Sequence, residues 1–530
     1  MQNLLEQSLS ALLAHQAALL GERNFLEFEC QPQINEGKQG IENPFRLSLS
    51  YRDFNDQVNQ TCHYLQSLGL KQGDVYNLHL PNCPAFLIVW FAGTRLGAVM
   101  MPTNVLGSKA EMRYLLEHSG SVISFTTAPH QDMLDECANE VEKLRQIVCC
   151  DPFTHSPNTQ SFEHQLSRFS DEAYPCPAAP CDLAAIMYTS GTTSRPKGVM
   201  VTHANYIKAG QTVADATGLT KEDRQFVVLP LFHGNAQYYS TMSALLAGAS
   251  IVLMDRFSAS QYFDKCIEYQ CTVASLFAAP MRMILAQPEN EKHTNNQLRL
   301  VIYAQNLTPE QIQNWQRRFD APLCQLWGMT ETMGPPLMNP LQGERRNWTV
   351  GIPSADYEVR LVNENGESVN TGVEGEIVVK GIPGKTIMAG YYKNDQATRE
   401  TIRKDWLYTG DNAIQDKQGY FRFVDRIKDM IKRSGENVSA GEVESVILQH
   451  PAVFECAVIG MPDALRDEKI VAVVVLHHGA QATEDEIIEF CKHKLASFRV
   501  PQQVVLERSL PKTSVGKIQK HLVKKLVTLE

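Results

Sequence analysis

Leu-Ala-Ala-Ile-Met-Tyr-Thr-Ser-Gly-Thr-Thr-Ser-Arg-Pro-Lys-Gly, residues 183–198, decides how the rest of the chain is read. The apolar opening, Leu183 to Tyr188, predicts a short buried strand. Thr189, Ser190, Thr192, Thr193 and Ser194 then surround Gly191, and Arg195, Pro196, Lys197 and Gly198 follow. Hydroxyls clustered around a glycine cannot pack a core. They suit an anion with several oxygens: Gly191 lets the backbone approach, hydroxyl and N–H groups donate, and Lys197 brings positive charge. The Walker phosphate loop is disfavoured. That pattern needs glycine before its lysine and Ser or Thr after it, whereas here Pro196 precedes Lys197 and Gly198 follows. A flexible Ser/Thr/Gly linker is the plainer alternative, but linkers rarely follow a buried strand or fix one lysine.

The chain has 530 residues, 43% apolar and 20% charged, an ordinary globular composition with room for several domain-sized units. Its 49 basic and 59 acidic residues leave a net charge of −10, which argues against nucleic acid or an anionic membrane as the main partner. The 13 cysteines are odd in number, Cys149 and Cys150 are adjacent, and no Cys-x-x-Cys pair occurs. This predicts free thiols in a reducing cytoplasm rather than a disulfide framework or a zinc site. No apolar run reaches the ~18 residues of a membrane span. Residues 1–20 are amphipathic with little basic charge and read as a first helix, not a targeting segment.

Residues 50–125 alternate helix and strand: helix 50–68, strand 74–80, helix 85–96, strand 98–104. That pattern predicts an α/β sheet. A helix over 204–217 is expected to follow the hydroxyl-rich loop directly, placing the loop at its N-terminal side. A strand over 225–230 runs into Leu231-Phe232-His233-Gly234-Asn235, with Gln237, Tyr238 and Tyr239 just beyond. On its own, His233 beside a glycine turn reads first as a core histidine.

A strand over 300–304 and a helix over 309–319 lead to Gln325-Leu326-Trp327-Gly328-Met329-Thr330-Glu331-Thr332. An aromatic ring such as Trp327 can stack on a base. Thr330 can donate to a phosphate, and Glu331 can hold Mg²⁺, a hard cation that prefers oxygen. Trp406-Leu407-Tyr408-Thr409-Gly410-Asp411 then sets a carboxylate after a glycine turn, suited to ribose hydroxyls.

These motifs, with Asp425-Arg426-Ile427-Lys428 to Val438 and Pro511-Lys512-Thr513-Ser514-Val515-Gly516-Lys517, resemble the AMP-forming adenylating superfamily. That group includes acyl-CoA ligases, peptide-synthetase adenylation domains and firefly luciferase. The resemblance covers nearly the whole chain, with the motifs in family order. It implies an α/β fold: a large multi-subdomain N-terminal adenylation domain over 1–425 and a small, mobile α+β C-terminal domain over 426–530, hinged near Lys428. It further implies that Thr189, Ser190, Gly191, Thr192, Thr193, Lys197, Trp327, Gly328, Thr330, Asp411, Arg426 and Lys517 bind ATP. Glu331 would hold Mg²⁺, and Lys517 would bridge substrate carboxylate and α-phosphate. His233, Asn235, Gln237, Tyr238, Trp327 and Met333 would line the acyl pocket, with His233 also among the catalytic groups. Lys428, Lys432 and Gly435 would serve the hinge and CoA.

Two departures stand out. Most relatives carry Tyr at the position of Trp327, and many carry a glycine-rich turn where Tyr303-Ala304-Gln305-Asn306 stands. The implied activity is ATP-dependent ligation of an organic acid to CoA through an acyl-AMP. Tyr238, Tyr239 and Trp327 could box a quaternary ammonium, so a carnitine-type betaine competes with short or medium fatty acids and aromatic acids. A free-standing enzyme that loads a carrier protein is the nearest rival. Oligomeric state, including a homodimer, is not readable.

Overall fold

A computed structural model describes residues 7–30, 44–150, 162–189, 195–426, 429–433, 436–463, 467–512 and 518–529. A seven-stranded sheet carries the opening stretch. From one edge it runs Gly390–Tyr391, Lys197–Thr202, Leu183–Thr189, Val99–Pro102, Val75–His79, Ile123–Thr126 and Gln146–Cys149. Val99–Pro102, Val75–His79 and Ile123–Thr126 run parallel to their neighbours and are buried throughout, as the apolar runs require.

Helices cover these strands because their starts are built locally. Ser50 and Asp53 form a capping box at the head of Tyr51–Ser67, and Thr202 and Asn205 do the same for His203–Thr217. The expected direct step from loop to helix is not what forms. Lys197–Thr202 runs back antiparallel to Leu183–Thr189, with Thr189 opposite Lys197, and only then does the helix begin. Gly198 permits this return, since a Cβ there would lie 2.6 Å from the Ile186 side chain. The strands on either side of residues 190–194 are thus antiparallel neighbours, and the helix starts only after the second of them.

A second, nine-stranded sheet places Leu323–Trp327 beside Leu300–Ala304 and carries short antiparallel strands at its edges. A five-stranded antiparallel sheet contains Trp406–Gln415 paired with Phe421–Arg426. The small C-terminal domain has its own sheet, in which the edge strand Val453–Asp463 and its neighbour Asp467–Leu476 form the longest pair. Apolar residues fill both faces of that sheet, Val458, Ile470 and Val474 on one and Ile459, Val471 and Val473 on the other. Among the described residues no helix is long and apolar enough to cross a membrane.

Candidate functional site

Trp327 is the last residue of a parallel strand, the end at which α/β sheets bind ligands. The chain then turns sharply. Gly328 fits because a Cβ there would lie 2.6 Å from the Tyr239 hydroxyl and 3.0 Å from the Gly334 carbonyl. A short 3₁₀ turn, Thr330–Thr332, follows, and Met333 leaves it fully buried at φ +65°. A non-glycine residue held there is strained, a condition found mostly where function demands it. Thr330 is half-buried on this turn.

Residues 388–392 knit this turn to the hairpin. Met388 N–H donates to the Glu331 carbonyl (2.9 Å), Ala389 N–H to Met200 (3.0 Å) and Tyr392 N–H to Gly198 (2.7 Å). Tyr391 is thereby placed between two charged groups. Its hydroxyl donates to Glu331 Oε1 at 2.9 Å, and Lys197 Nζ lies 4.9 Å from its ring centroid. Glu331 is buried, and burial raises its pKa; the Tyr391 hydroxyl, Arg426 and Lys197 pull it back down. No motif pointed to Tyr391, which lies outside the sequence-derived candidates.

Removing only that hydroxyl, by Tyr391→Phe, leaves the ring beneath Lys197. The variant is expected to lose about 1.5–3 kcal/mol of stability, the contribution of a hydrogen bond to a charged partner. Urea unfolding reads this, and an unchanged midpoint would mean that other groups hold Glu331.

Glu331 also fits Mg²⁺. Among the described residues no group of three His, Cys, Asp or Glu could form an all-protein metal cage. Mg²⁺ seldom needs one, since one or two carboxylates and the substrate's own phosphates commonly hold it.

The expected glycine turn before Asp411 is instead a bulge: Gly410, at φ +71°, lies within the strand Trp406–Gln415 where its register against Glu374–Lys380 shifts, and its N–H donates to Glu376 at 2.8 Å. The Asp411 carboxylate accepts from the Trp327 indole N–H at 3.0 Å, and Arg426, opposite it on the next strand, approaches at 3.4 Å. Trp327, Glu331, Asp411, Arg426, Tyr391 and Lys197 thus form one contiguous constellation.

His233 is half-buried with its ring against Phe232, centroids 4.5 Å apart. It precedes Asn235–Met242, one π-helix, a rare form concentrated at functional sites. Asn235 is 8% exposed, and its Oδ1 is buried without a partner. Gln237 differs: it accepts from Tyr206 and donates to the Leu231 carbonyl, both at 2.6 Å. The Tyr238 hydroxyl meets Met187 Sδ at 2.9 Å, and its ring packs edge-on against Tyr206. Both side chains are used inside the fold, so these contacts lend no support to placing Gln237 and Tyr238 at the acyl pocket.

Lys432 lies on the strand Met430–Arg433, exposed, its N–H donating to Glu468. Thr189 ends its strand opposite Lys197. Ser190, Gly191, Thr192, Thr193, Lys428, Gly435 and Lys517 lie outside the described residues.

Known proteins resemble the chain over nearly its whole length. The model of the AMP-binding enzyme family matches residues 39–392, and that of the AMP-binding enzyme C-terminal domain matches 442–517. The chain is 35% identical over 490 residues to a crotonobetaine/carnitine–CoA ligase of Escherichia coli, covering 92% of this chain and 94% of that protein. It is 35% identical over 496 residues to the protein of that name from Escherichia fergusonii, covering 93% and 95%. ATP-bound MatB of Rhodopseudomonas palustris superposes with a TM-score of 0.86 at 26% identity, over 98% of this chain and 99% of MatB. A benzoate CoA ligase from Burkholderia xenovorans shares the fold at 24% identity with a TM-score of 0.85, over 98% of this chain and 100% of that one. The chain therefore belongs to the AMP-binding enzyme family, among its AMP-forming acyl-CoA synthetases.

Proposed function

We propose that this chain joins a small organic acid, a betaine of the carnitine type, to CoA in two steps. In the first, a carboxylate oxygen attacks the α-phosphorus of ATP, the bond between α- and β-phosphates breaks, and pyrophosphate leaves. In the second, the CoA thiolate attacks the acyl carbon and AMP departs. The observation that carries the reading is the constellation of Lys197, Tyr391, Glu331, Trp327, Asp411 and Arg426, gathered from distant parts of the chain.

In this reading Trp327 stacks on adenine, Asp411 takes the ribose hydroxyls, and Lys197, Thr330 and the hydroxyl-rich loop neutralise phosphate charge. Glu331 would hold Mg²⁺, which supplies further neutralisation on the phosphates. The first step needs little beyond alignment and charge stabilisation, which fixed side chains provide without reorganisation. Lys517 completes the charge around the attacking carboxylate and must leave before the thiol arrives. The boundary near 425–426 and a hinge near Lys428 allow that exchange, with Lys432 and Gly435 turned to CoA. Asn235 and His233 border the acyl group.

The betaine assignment draws support from the ligases that share 35% identity over nine-tenths of the chain. A second reading, a short or medium fatty acid or an aromatic acid, is favoured by Tyr238: its ring and hydroxyl are engaged in the core, which removes one wall from a cation-binding box. Pyrophosphate release measured over carnitine, crotonobetaine, γ-butyrobetaine, straight-chain acids and benzoate, with and without CoA, separates the two. The betaines are expected to react best. A preference of tenfold or more for uncharged acids, about 1.4 kcal/mol in transition-state binding, would reject them.

A further inference from the structure

We propose that Trp327 is a positioning residue: its indole N–H holds the Asp411 carboxylate in the orientation that receives the ribose hydroxyls of ATP. The proposal rests on the reading of Asp411 as the ribose-binding group and deepens it.

The geometry is specific. An indole nitrogen can only donate, and Nε1 lies 3.0 Å from Asp411 Oδ2. Both residues are 7% exposed, so water competes poorly for this contact. Arg426 Nε approaches the other oxygen, Oδ1, at 3.4 Å. Donors on different oxygens fix the carboxylate plane as well as its position. Without such restraint an aspartate's terminal torsion is broad and roughly two-fold. A ribose presents neighbouring hydroxyls, and one carboxylate receives both only when its plane is set.

The two donors are anchored differently. Trp327 ends an interior strand of the nine-stranded sheet, buried on every side. Arg426 is the last described residue before 427–428, and its side chain is 31% exposed. The indole is therefore the contact tied to the large domain's core. It also couples two tasks, because the ring face offered to adenine and the carboxylate offered to ribose are set by one bond.

The test is nucleotide binding by isothermal titration calorimetry on the full chain, without acid or CoA. ATP is compared with 2′,3′-dideoxy-ATP for wild type and Trp327→Phe. Wild type is expected to prefer ATP by about 10- to 100-fold, the range for hydrogen bonds to a charged acceptor. Trp327→Phe is expected to reduce that preference at least about fivefold, on top of any loss of stacking shared by both nucleotides. Loss of stacking or of fold would weaken both nucleotides together and keep the ratio. As a second variant, 3-benzothienylalanine at 327 keeps the shape and replaces only N–H by sulfur, and the same loss of preference is expected. A wild-type ratio in either variant overturns the proposal while leaving Asp411 as the ribose group. If wild type itself binds both nucleotides equally, the reading of Asp411 falls, and the proposal with it.

Discussion

Lys517→Ala is expected to slow adenylate formation by roughly 10²–10³-fold, the scale on which a single group at a developing oxyanion acts. Thioester formation from supplied acyl-adenylate and CoA should stay within about threefold of wild type. The expectation follows from the proposed role of Lys517, in the string Pro511-Lys512-Thr513-Ser514-Val515-Gly516-Lys517, of bridging the acid and the α-phosphate. A lysine needed there during the first step obstructs the thiol in the second, so it must withdraw between them. Pyrophosphate exchange reads the first half-reaction, and a thioester assay from synthetic acyl-AMP reads the second. Equal loss of both would end that division of labour.

Glu331→Gln should also abolish most adenylation, by roughly 10²–10³-fold, for a reason the structure makes separable from folding. Glutamine keeps a carbonyl oxygen for the Tyr391 hydroxyl, now 2.9 Å from Glu331 Oε1, and loses only the charge. Burial already disfavours the ionised carboxylate, so urea stability should hold or rise. Magnesium dependence of ATP binding, measured without turnover, should weaken in the variant. Activity and stability falling together would make Glu331 a folding residue instead.

Much of this constellation was legible in the sequence because residue type and local order carry its chemistry. Trp327 with Glu331, and Gly410 with Asp411, each sit within a few residues of one another, and Lys197 closes the hydroxyl-rich run. Tyr391 was not legible. It lies on the two-residue edge strand Gly390–Tyr391, and its carboxylate partner is 60 positions away. Only the tertiary pairing of Gly390 with Met200 and Tyr391 with Val199 brings it in.

The same limit misplaced the loop. The strand Lys197–Thr202 went unassigned between loop and helix, because an apolar run as short as Val199-Met200-Val201 carries little periodicity. The π-helix Asn235–Met242 left no periodic trace, because every residue in it is buried. Gln237 was assigned to the acyl pocket by resemblance; Tyr206 and Leu231 partner its amide within the fold. Short elements such as Leu183–Thr189 and Pro309–Phe319 were readable nearly to their ends, where strand runs and a capping Thr308 mark them.

Doubly ¹⁸O-labelled substrate acid, turned over with ATP and CoA, tests the chemistry of this site most directly. Attack of the carboxylate on the α-phosphorus, followed by thiol attack on carbon, leaves one labelled oxygen in every AMP, read by mass spectrometry. Label in pyrophosphate or inorganic phosphate, or AMP without it, would show that Lys197, Glu331 and Asp411 do not gather around the α-phosphate to form an acyl-adenylate.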